Sequence, residues 1–215
     1  AEYICVAEKS LVATKPDNMS YEEAAAVPYG AITALNLLKK VNIQPEQQVL
    51  INGASGGIGS AAVQLAKHYG AKVTGVCGTP RVEFVKALGA DQVIDYTETD
   101  FTKNGETYDL IFDIMGKSSF AKCKGSLKDN GRYLLVSFGM MQLFQMLRTK
   151  VAGSKKVICA LSLEKPEDIL EVERLMESGV LKTVIDRRFP LEQAAEAHRY
   201  IESGQKKGNV ILSLE

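Results

Sequence analysis

The chain has 215 residues, of which 46% are hydrophobic and 24% are charged, and 26 Lys and Arg residues balance 26 Asp and Glu residues. This neutral balance argues against a nucleic-acid partner, and no apolar run reaches the ~20 residues that span a membrane. The 4 cysteines are scattered singly without a C-x-x-C pair, which argues against a zinc ribbon and a disulfide framework. Only 2 histidines are present, His68 and His198, and neither has a Cys or a second His nearby, so we expect no metal site. No basic and apolar leader stands at the start, and we expect a cytoplasmic protein with no membrane contact.

The first segment, residues 1–13, alternates between apolar and polar side chains like a strand, and the chain opens without Met. We expect this segment to be the middle of a longer protein. Ser20, followed closely by two glutamates, has the composition of a helix N-cap with acids in the first turn. Pro28 is expected to interrupt that helix, and a second helix is predicted over 30–40.

Short apolar runs then alternate with helical segments. Strands are predicted at 49–53, 72–77, 92–96, 108–116, 131–139 and 155–163. Helices are predicted between them at 56–70, 81–89, 119–127 and 141–150. This alternation is typical of a doubly wound parallel α/β sheet with right-handed crossovers. The six strands predict a Rossmann-type dinucleotide-binding domain with the strand order 3-2-1-4-5-6.

The last part of the chain has a different pattern. Its predicted elements are a helix at 166–179, a strand at 183–189, a helix at 191–204 and a strand at 209–214. We expect this tail to return towards residues 1–14, outside the parallel sheet.

A glycine-rich loop carries the clearest functional signal. The stretch VLINGASGGIG (49–59) lies between a predicted strand and a predicted helix, the context that makes a G-x-G-x-x-G pattern informative. Ala54, Gly56 and Gly59 fall on the three pattern positions. Gly56 is predicted to let the backbone approach a pyrophosphate, and Gly59 to allow close packing of helix on strand. Ala54 fits only if the turn keeps a negative φ there, and the alternative is a turn used for packing alone.

The end of the second predicted strand bears on which dinucleotide is bound. Sites that prefer NAD place an acidic residue there to hold the ribose 2′-hydroxyl. This chain has no acid at that point, and Arg81 follows. Arg81 is able to pair with a 2′-phosphate and Thr79 to donate to it, so NADP(H) is favoured over NAD(H). The alternative is that Arg81 is a solvated residue at a helix start.

Five stretches in a particular order point to one family. They are AEYICV (1–6), AAAVPYGAITAL (24–35), VLINGASGGIGSAAVQLAKHYGAKV (49–73), ALGADQVIDY (87–96) and KKGNVILSL (206–214). In these the chain resembles the medium-chain dehydrogenase/reductase superfamily, in its zinc-independent quinone oxidoreductase branch.

The resemblance implies three parts of the chain. Residues 1–17 are expected to be a remnant of a β-rich GroES-like catalytic domain, most of which is missing. Residues 18–164 are expected to form the NAD(P)-binding Rossmann domain. Residues 165–215 are expected to be helices and strands that return towards the catalytic domain.

The resemblance also implies contacts with the cofactor. The matching residues are Thr33 near the nicotinamide, Ser55, Gly56, Gly57 and Ile58 in the pyrophosphate loop, Gly78, Thr79 and Arg81 around the 2′-phosphate, Tyr96 beside the adenosine phosphate, Phe138 and Gly139 at the nicotinamide edge, and Asn209 returning from the last strand. Two alternatives stay open. Tyr96 fits a strand end equally, and the Thr33 hydroxyl is able to bond a carbonyl of its own helix. No residue stands out as a catalytic proton donor.

The implied function is NADPH-dependent hydride transfer to a quinone or an α,β-unsaturated carbonyl. We expect this chain to bind NADP(H) but to turn over little or nothing. One alternative is a zinc-dependent alcohol dehydrogenase with its metal ligands upstream, and another is a non-catalytic NADP(H)-binding module. The resemblance also implies a homodimer through the sixth strand (155–163), unless the helix at 166–179 covers that edge.

Overall fold

Six parallel strands form the centre of the protein. The structure, a computed structural model, describes residues 4–7, 10, 12–163 and 165–214. The strands are β1 (Gln48–Asn52), β2 (Lys72–Cys77), β3 (Gln92–Asp95), β4 (Tyr108–Asp113), β5 (Leu127–Leu135) and β6 (Lys156–Cys159). Their order is β3-β2-β1-β4-β5-β6, which confirms the predicted topology.

Helices cover both faces of this sheet. They are α1 (Tyr21–Val27), α2 (Thr33–Lys39), α3 (Gly57–His68), α4 (Val82–Ala87), α5 (Phe120–Cys123), α6 (Met140–Val151), α7 (Pro166–Glu177) and α8 (Ala194–Glu202). Successive side chains of β1 point to opposite faces, as strand geometry requires. Val49 and Ile51 join the hydrophobic cluster that holds α2, α3 and α7, whereas Leu50 joins the cluster that holds Tyr133 and packs Met146 of α6.

The α-helix is interrupted at Pro28 as predicted, but the chain does not leave the helical conformation there. Ser20 caps α1 as expected, since its hydroxyl accepts a hydrogen bond from the Glu23 N–H at 3.1 Å. The backbone at Pro28 then stays helical (φ −58°, ψ −48°), and residues Pro28–Ile32 form a π-helical turn that leads directly into α2. A proline has no N–H to donate and crowds the preceding turn, and a wider turn accommodates both effects.

The fifth strand and the helix before it differ from their predicted bounds. α5 is a single turn, followed by a 3₁₀ turn at Lys124–Ser126, and β5 begins at Leu127 instead of 131. The register between β4 and β5 shifts between Tyr108 and Leu110, and Asn130 has a positive φ of 63°. The sequence did not indicate that the strand begins here, because the first residues of β5 have the polar composition of a turn.

Helix α7, at the start of the tail, packs against the helices beside the main sheet. Val172 of α7 is fully buried in the cluster with α2 and α3. The buried carboxylate of Asp168 accepts hydrogen bonds from Asn36 Nδ2 at 2.9 Å and Lys39 Nζ at 3.0 Å. Burial raises the pKa of Asp168, but the hydrogen bonds from Lys39 and Asn36 outweigh burial and hold that pKa below its usual range.

The rest of the tail lies outside the six-stranded sheet, as predicted. β7 (Ile185–Pro190) and β8 (Asn209–Ser213) pair in parallel as a separate sheet, with α8 between them in sequence. Of the predicted first strand, residues 1–3, 8, 9 and 11 lie outside the described residues, and the described part forms no strand. The division into three domains stays a prediction. No helix within the described ranges has the length and apolarity to cross a membrane.

Candidate functional site

A cleft of about 560 Å³ opens at the carboxyl ends of the central strands. Its walls include Asn52 and Gly53 after β1, Cys77 at the end of β2 and Met115 after β4. From β1 the chain runs outward through β2 to β3 and then crosses to β4 on the other side of β1, so this edge is the switch point at which doubly wound sheets bind their ligands.

The turn after β1 meets the condition that Ala54 imposes. Gly53 takes the left-handed conformation, with φ of +95°, whereas Ala54 is not among the residues with positive φ. The N–H groups of both residues donate to the carbonyl oxygen of Val76 at 3.1 Å. The turn is therefore fixed to β2. The position that requires glycine is 53, one residue before the first glycine of the usual G-x-G-x-x-G pattern.

The two remaining pattern glycines have different surroundings. A Cβ added to Gly59 would lie 2.0 Å from the carbonyl oxygen of Gly53, so helix α3 packs on the turn only because this residue lacks a side chain. A Cβ added to Gly56 would have no protein atom nearer than 3.8 Å. Gly56 borders the cleft and precedes the first turn of α3, whose N–H groups have no side-chain cap. Space and free donors are what a phosphate needs at this point.

The tail of the chain reaches this loop. The N–H of Gly208 donates to the carbonyl oxygen of Ser55 at 2.8 Å, and Gly56 and Gly208 form an isolated parallel bridge. Asn209 lies so close that a Cβ on Gly57 would be 2.7 Å from Asn209 Oδ1. The structure thus brings Ser55, Gly56, Gly57 and Asn209 together. The side chain of Ile58 is buried in the core, so this residue offers only its backbone to the loop.

A cationic group lies at the other end of the cleft, after β2. The Arg81 guanidinium donates to the carbonyl oxygen of Gly204 and, at 3.4 Å, to the Tyr96 hydroxyl, while its buried Nε has no partner among the described residues. A Cβ on Gly78 would lie 2.8 Å from this guanidinium and 3.2 Å from the Tyr96 hydroxyl. Gly78, Arg81 and Tyr96 are therefore neighbours. Only a glycine at position 78 leaves room for the side chains of Arg81 and Tyr96.

Thr79 is not placed in the lining of the cleft. Its hydroxyl lies 3.0 Å from that of Thr97. Hydrogen bonds from Thr79 and Thr97 hold the pKa of Asp95 below its usual range. Asp95 ends β3, the strand beside β2, and its carboxylate accepts a hydrogen bond from Thr79.

Three further candidates also lie outside the lining of the cleft. Thr33 is buried at the start of α2, and Phe138 packs against the hydrophobic cluster of the α6 face. Gly139 precedes α6, where its N–H donates to the Gln142 side chain at 2.9 Å. Each is engaged in its own helix or core region, and contact with a nicotinamide stays a prediction for all three.

Lysines that the sequence did not single out also line the cleft. Lys117, Lys122 and Lys206 join Arg81 there, with Asp100 as the one carboxylate among its described lining residues. Lys206 Nζ donates to the Gly208 carbonyl oxygen at 2.7 Å. Burial lowers the pKa of Lys206, and nearby Asp186 acts in the opposite direction. A cleft with this excess of positive charge is suited to a ligand with several phosphates.

A buried carboxylate fixes the floor of the cleft. Asp113 is fully buried and accepts hydrogen bonds from Asn52 Nδ2 at 2.9 Å, the Tyr133 hydroxyl at 2.7 Å and the Gly116 N–H at 3.1 Å. Burial and the Asp113 carboxylate raise the pKa of Tyr133. Asp113 thereby ties the end of β4 to Asn52, which lines the cleft.

A doubly wound sheet with a glycine loop and a cationic cleft at its switch point defines the class of Rossmann-type dinucleotide-binding domains. The family model described as zinc-binding dehydrogenase matches residues 88–212. The chain belongs to this family, within the medium-chain dehydrogenase/reductase superfamily that its motifs resemble.

Named relatives and a solved structure agree with this assignment. A chloroplast envelope quinone oxidoreductase homolog of Arabidopsis thaliana is 33% identical, over 99% of this chain and 68% of that protein. An NADPH-dependent alkenal/one oxidoreductase, chloroplastic, of the same species is 32% identical, over 99% of this chain and 52% of that protein. The quinone oxidoreductase from Coxiella burnetii superposes with a TM-score of 0.83 at 26% identity, over 94% of this chain and 64% of that one. The chain thus spans between 52% and 68% of the length of these proteins.

The zinc in the family's description has no counterpart in the described part of this chain. Within those residues, no three His, Cys, Asp or Glu side chains gather as metal ligands. The described residues therefore offer no ligand set that fits a zinc ion.

Proposed function

We propose that the protein is an NADPH-dependent oxidoreductase that transfers a hydride to a quinone or an α,β-unsaturated carbonyl. The observation that carries this proposal is that the glycine loop after β1 and the cationic residue after β2 line one cleft at the same edge of the sheet. The names of the Arabidopsis relatives, a quinone oxidoreductase homolog and an NADPH-dependent alkenal/one oxidoreductase, support the reaction class. Because the chain spans only part of these proteins, the activity belongs to the proposal.

The residues around the cleft would hold the cofactor by its phosphates. Ser55, Gly56 and Gly57, with the backbone N–H of Ile58, would receive the pyrophosphate at the start of α3, where the helix dipole favours negative charge. Asn209 would support this loop from the tail.

The cationic end of the cleft would receive the 2′-phosphate. Arg81 would pair with it, and the Tyr96 hydroxyl would donate beside it. Because Gly78 has no side chain, both of these side chains have room beside it. Thr79 would join this group only after leaving Thr97 and Asp95.

The chemistry that NADPH supplies when bound is hydride transfer. The chain's own part is to bind and orient the dinucleotide along the carboxyl edge of the sheet. Thr33, Phe138 and Gly139 remain the residues predicted for the nicotinamide end. No catalytic proton donor is assigned within this chain, and we propose that the chain alone binds NADP(H) with little turnover.

The activity test separates cofactor binding from catalysis. NADPH oxidation is followed with a 1,4-benzoquinone and with a simple enone, using this chain and the longer protein with the upstream domain restored. The proposal expects activity in the longer protein and little in this chain. An inactive longer protein that still binds NADPH contradicts the reductase proposal and favours a non-catalytic binding module. Equal activity in both contradicts the proposed division of labour.

A homodimer through β6 is also proposed. β6 is an edge strand of the sheet, and the main contacts of α7 are with α2 and the π-helical turn. An unpaired edge of this kind is a surface for strand pairing. Sedimentation equilibrium that shows only a monomer contradicts this proposal. The cytoplasmic location stays a prediction, since the Arabidopsis relatives are named for the chloroplast.

A further inference from the structure

The two phosphate sites of the cleft define where the adenine of the cofactor would lie. In NADP(H) the 2′-phosphate and one end of the pyrophosphate are attached to the same ribose, and this ribose also carries the adenine. With the pyrophosphate at the glycine loop and the 2′-phosphate at Arg81, the ribose bridges these two points. The adenine then occupies the part of the cleft that neither phosphate uses.

This remaining part of the cleft has apolar walls. Val76, Phe101 and Met115 line it. Val76 and Phe101 belong to the hydrophobic cluster that holds Tyr133, so this part of the cleft lies on that face of the sheet. Met115 covers the turn after β1, since a Cβ on Gly53 would lie 2.8 Å from Met115 Cγ. Apolar walls of this kind pack against the faces of a planar base.

An amide side chain lies among these apolar groups. Asn52 ends β1, two residues after Leu50. Because side chains alternate along a strand, Asn52 points to the same face of the sheet as Leu50, which shares a cluster with Val76. Asn52 is half-buried and lines the cleft. It therefore contributes a polar group to the part of the cleft that is left for the base.

Hydrogen bonds determine which end of the Asn52 amide is turned inward. Asn52 Nδ2 donates to Asp113 Oδ1 at 2.9 Å. A carboxylate only accepts hydrogen bonds, so the reversed amide would place two acceptor oxygens together. Asp113 is itself held by the Tyr133 hydroxyl at 2.7 Å and by the Gly116 N–H at 3.1 Å. Asp113 is thus a positioning residue for the Asn52 amide.

The other end of this amide is available to a ligand. Asn52 Oδ1 accepts no hydrogen bond from another described residue, and it is not one of the buried polar atoms without a partner, so it is accessible. An acceptor in such a place favours a donor, because a second acceptor opposite it would leave both atoms unpaired. Adenine presents a donor at its edge, the N6 amine, whereas hypoxanthine has an oxygen at that position.

We propose that Asn52 is a specificity-determining residue for the base of the cofactor, with Oδ1 accepting a hydrogen bond from the adenine N6 amine. The proposal rests on the proposed NADP(H) site and adds the recognition of the base to it. Asparagine pairs with adenine through the same amine in protein–DNA complexes, since the carbonyl end of the amide matches it. Val76, Phe101 and Met115 enclose the base, and Asn52 reads its edge.

The test compares two dinucleotides that differ at one position of the base. Calorimetric titration of the full chain gives the Kd of NADPH and that of its hypoxanthine analogue, in which an oxygen replaces the adenine amine. Both carry the same phosphates, so the ratio of the two Kd values depends on the base alone. The parent chain should bind NADPH about threefold to tenfold more tightly, the effect of one neutral hydrogen bond.

Two variants test the residues that carry the proposal. Asn52→Leu has a side chain of similar shape without the oxygen, and it should weaken NADPH binding until the two Kd values are about equal. Asp113→Asn should also bring the two Kd values closer together, because an amide at position 113 no longer dictates the orientation of Asn52. A purely structural role of Asp113 would leave their ratio unchanged.

Asn36→Leu is the matched control. Asn36 Nδ2 also donates to a buried aspartate, Asp168 Oδ2 at 2.9 Å, but Asn36 is not among the described residues that line the cleft. Loss of either amide should lower the free energy of unfolding in urea, and only Asn52→Leu should change the ratio of the Kd values. Should a variant fail to fold, the ratio in the parent chain still decides the matter.

Two results would overturn the proposal while the cofactor site stands. One is tight and equal binding of both dinucleotides by the parent chain. The other is an equal loss of affinity for both in Asn52→Leu, which would place Asn52 against the ribose. A parent chain that binds neither dinucleotide contradicts the proposed NADP(H) site, and the assignment of Asn52 fails with it.

Discussion

The N–H of Gly208 donates a hydrogen bond of 2.8 Å to the carbonyl oxygen of Ser55. This bond joins the tail of the chain to the glycine loop at the carboxyl end of β1. It places Asn209 against Gly57 at the start of α3. The loop proposed to receive the pyrophosphate is thus held from two sides, by β2 through Val76 and by the tail.

Replacing Gly208 by alanine should loosen that loop. Gly208 has a φ of +65°, and a Cβ there would lie 2.5 Å from the Val184 carbonyl oxygen. Gly179 is the control, because its φ is +74° and a Cβ would meet no atom within 4 Å. Each alanine should cost about 1 kcal/mol of backbone strain. Only Gly208→Ala should also weaken NADPH binding in calorimetric titration; unchanged affinity would contradict this account of the tail.

The glycines at 56 and 59 should respond differently to alanine. Gly59→Ala places a Cβ 2.0 Å from the Gly53 carbonyl oxygen and should lower the free energy of unfolding by about 1–3 kcal/mol or more. Gly56→Ala has no atom within 3.8 Å, so stability in urea should stay within about 0.5 kcal/mol of the parent. NADPH affinity should nevertheless fall, since the methyl group would occupy the space that the phosphate needs. Normal NADPH binding by Gly56→Ala would argue that the turn serves packing only.

Lys206 should give cofactor binding a dependence on alkaline pH. Burial lowers its pKa below the ordinary value of 10.5, so it loses its charge earlier than an exposed lysine as the pH rises. NADPH affinity should fall through that range, and Lys206→Met should remove this fall. In the same range the unfolded chain binds more protons than the folded one, so the free energy of unfolding should rise with pH.

The neighbouring lysine is the matched control for this prediction. Lys207 does not line the cleft, and Lys207→Met should leave the pH profile of NADPH binding unchanged. Identical profiles for the parent chain and Lys206→Met would show that the Lys206 ammonium does not act on the cofactor.

The buried carboxylate below the cleft should make Tyr133 important for stability. Tyr133→Phe removes a 2.7 Å hydrogen bond to Asp113 and leaves one carboxylate oxygen of this fully buried residue without that donor. The free energy of unfolding in urea should fall by about 1–3 kcal/mol. Tyr96→Phe is the control, because Tyr96 is 58% exposed. Equal stability of the two variants would contradict the role of Tyr133.

The strand order was predictable because it depends on a regular property of the chain. Apolar runs alternate with helical segments at short spacing, and each run is long enough for a strand buried on both faces. Pro28 interrupts the α-helix as its sequence position predicts, but the π-helical turn that continues from it into α2 has no signature in the sequence. The start of β5 was missed because its residues Lys128 to Gly131 have the composition of a turn.

The candidate site was predictable where its residues are close in sequence. Ser55, Gly56 and Gly57 form one motif, and Arg81 follows β2 directly. Lys206 could not be found in this way, because only the folded tail brings it to the cleft. Thr79 stays a prediction for the 2′-phosphate, and its present partners, Thr97 and Asp95, could not be foreseen because they come from a different strand and the turn after it.

The most direct test of the account is calorimetric titration of the chain with NADPH and with NADH. We predict that NADPH binds more tightly, and that Arg81→Ala weakens NADPH binding by about tenfold to a hundredfold while NADH binding hardly changes, since a charged hydrogen bond contributes about 1.5–3 kcal/mol. Lys86→Ala, which changes an exposed side chain on α4, should leave both affinities unchanged. Equal affinities for NADPH and NADH in the parent chain, or binding of neither, would contradict the proposed cofactor site.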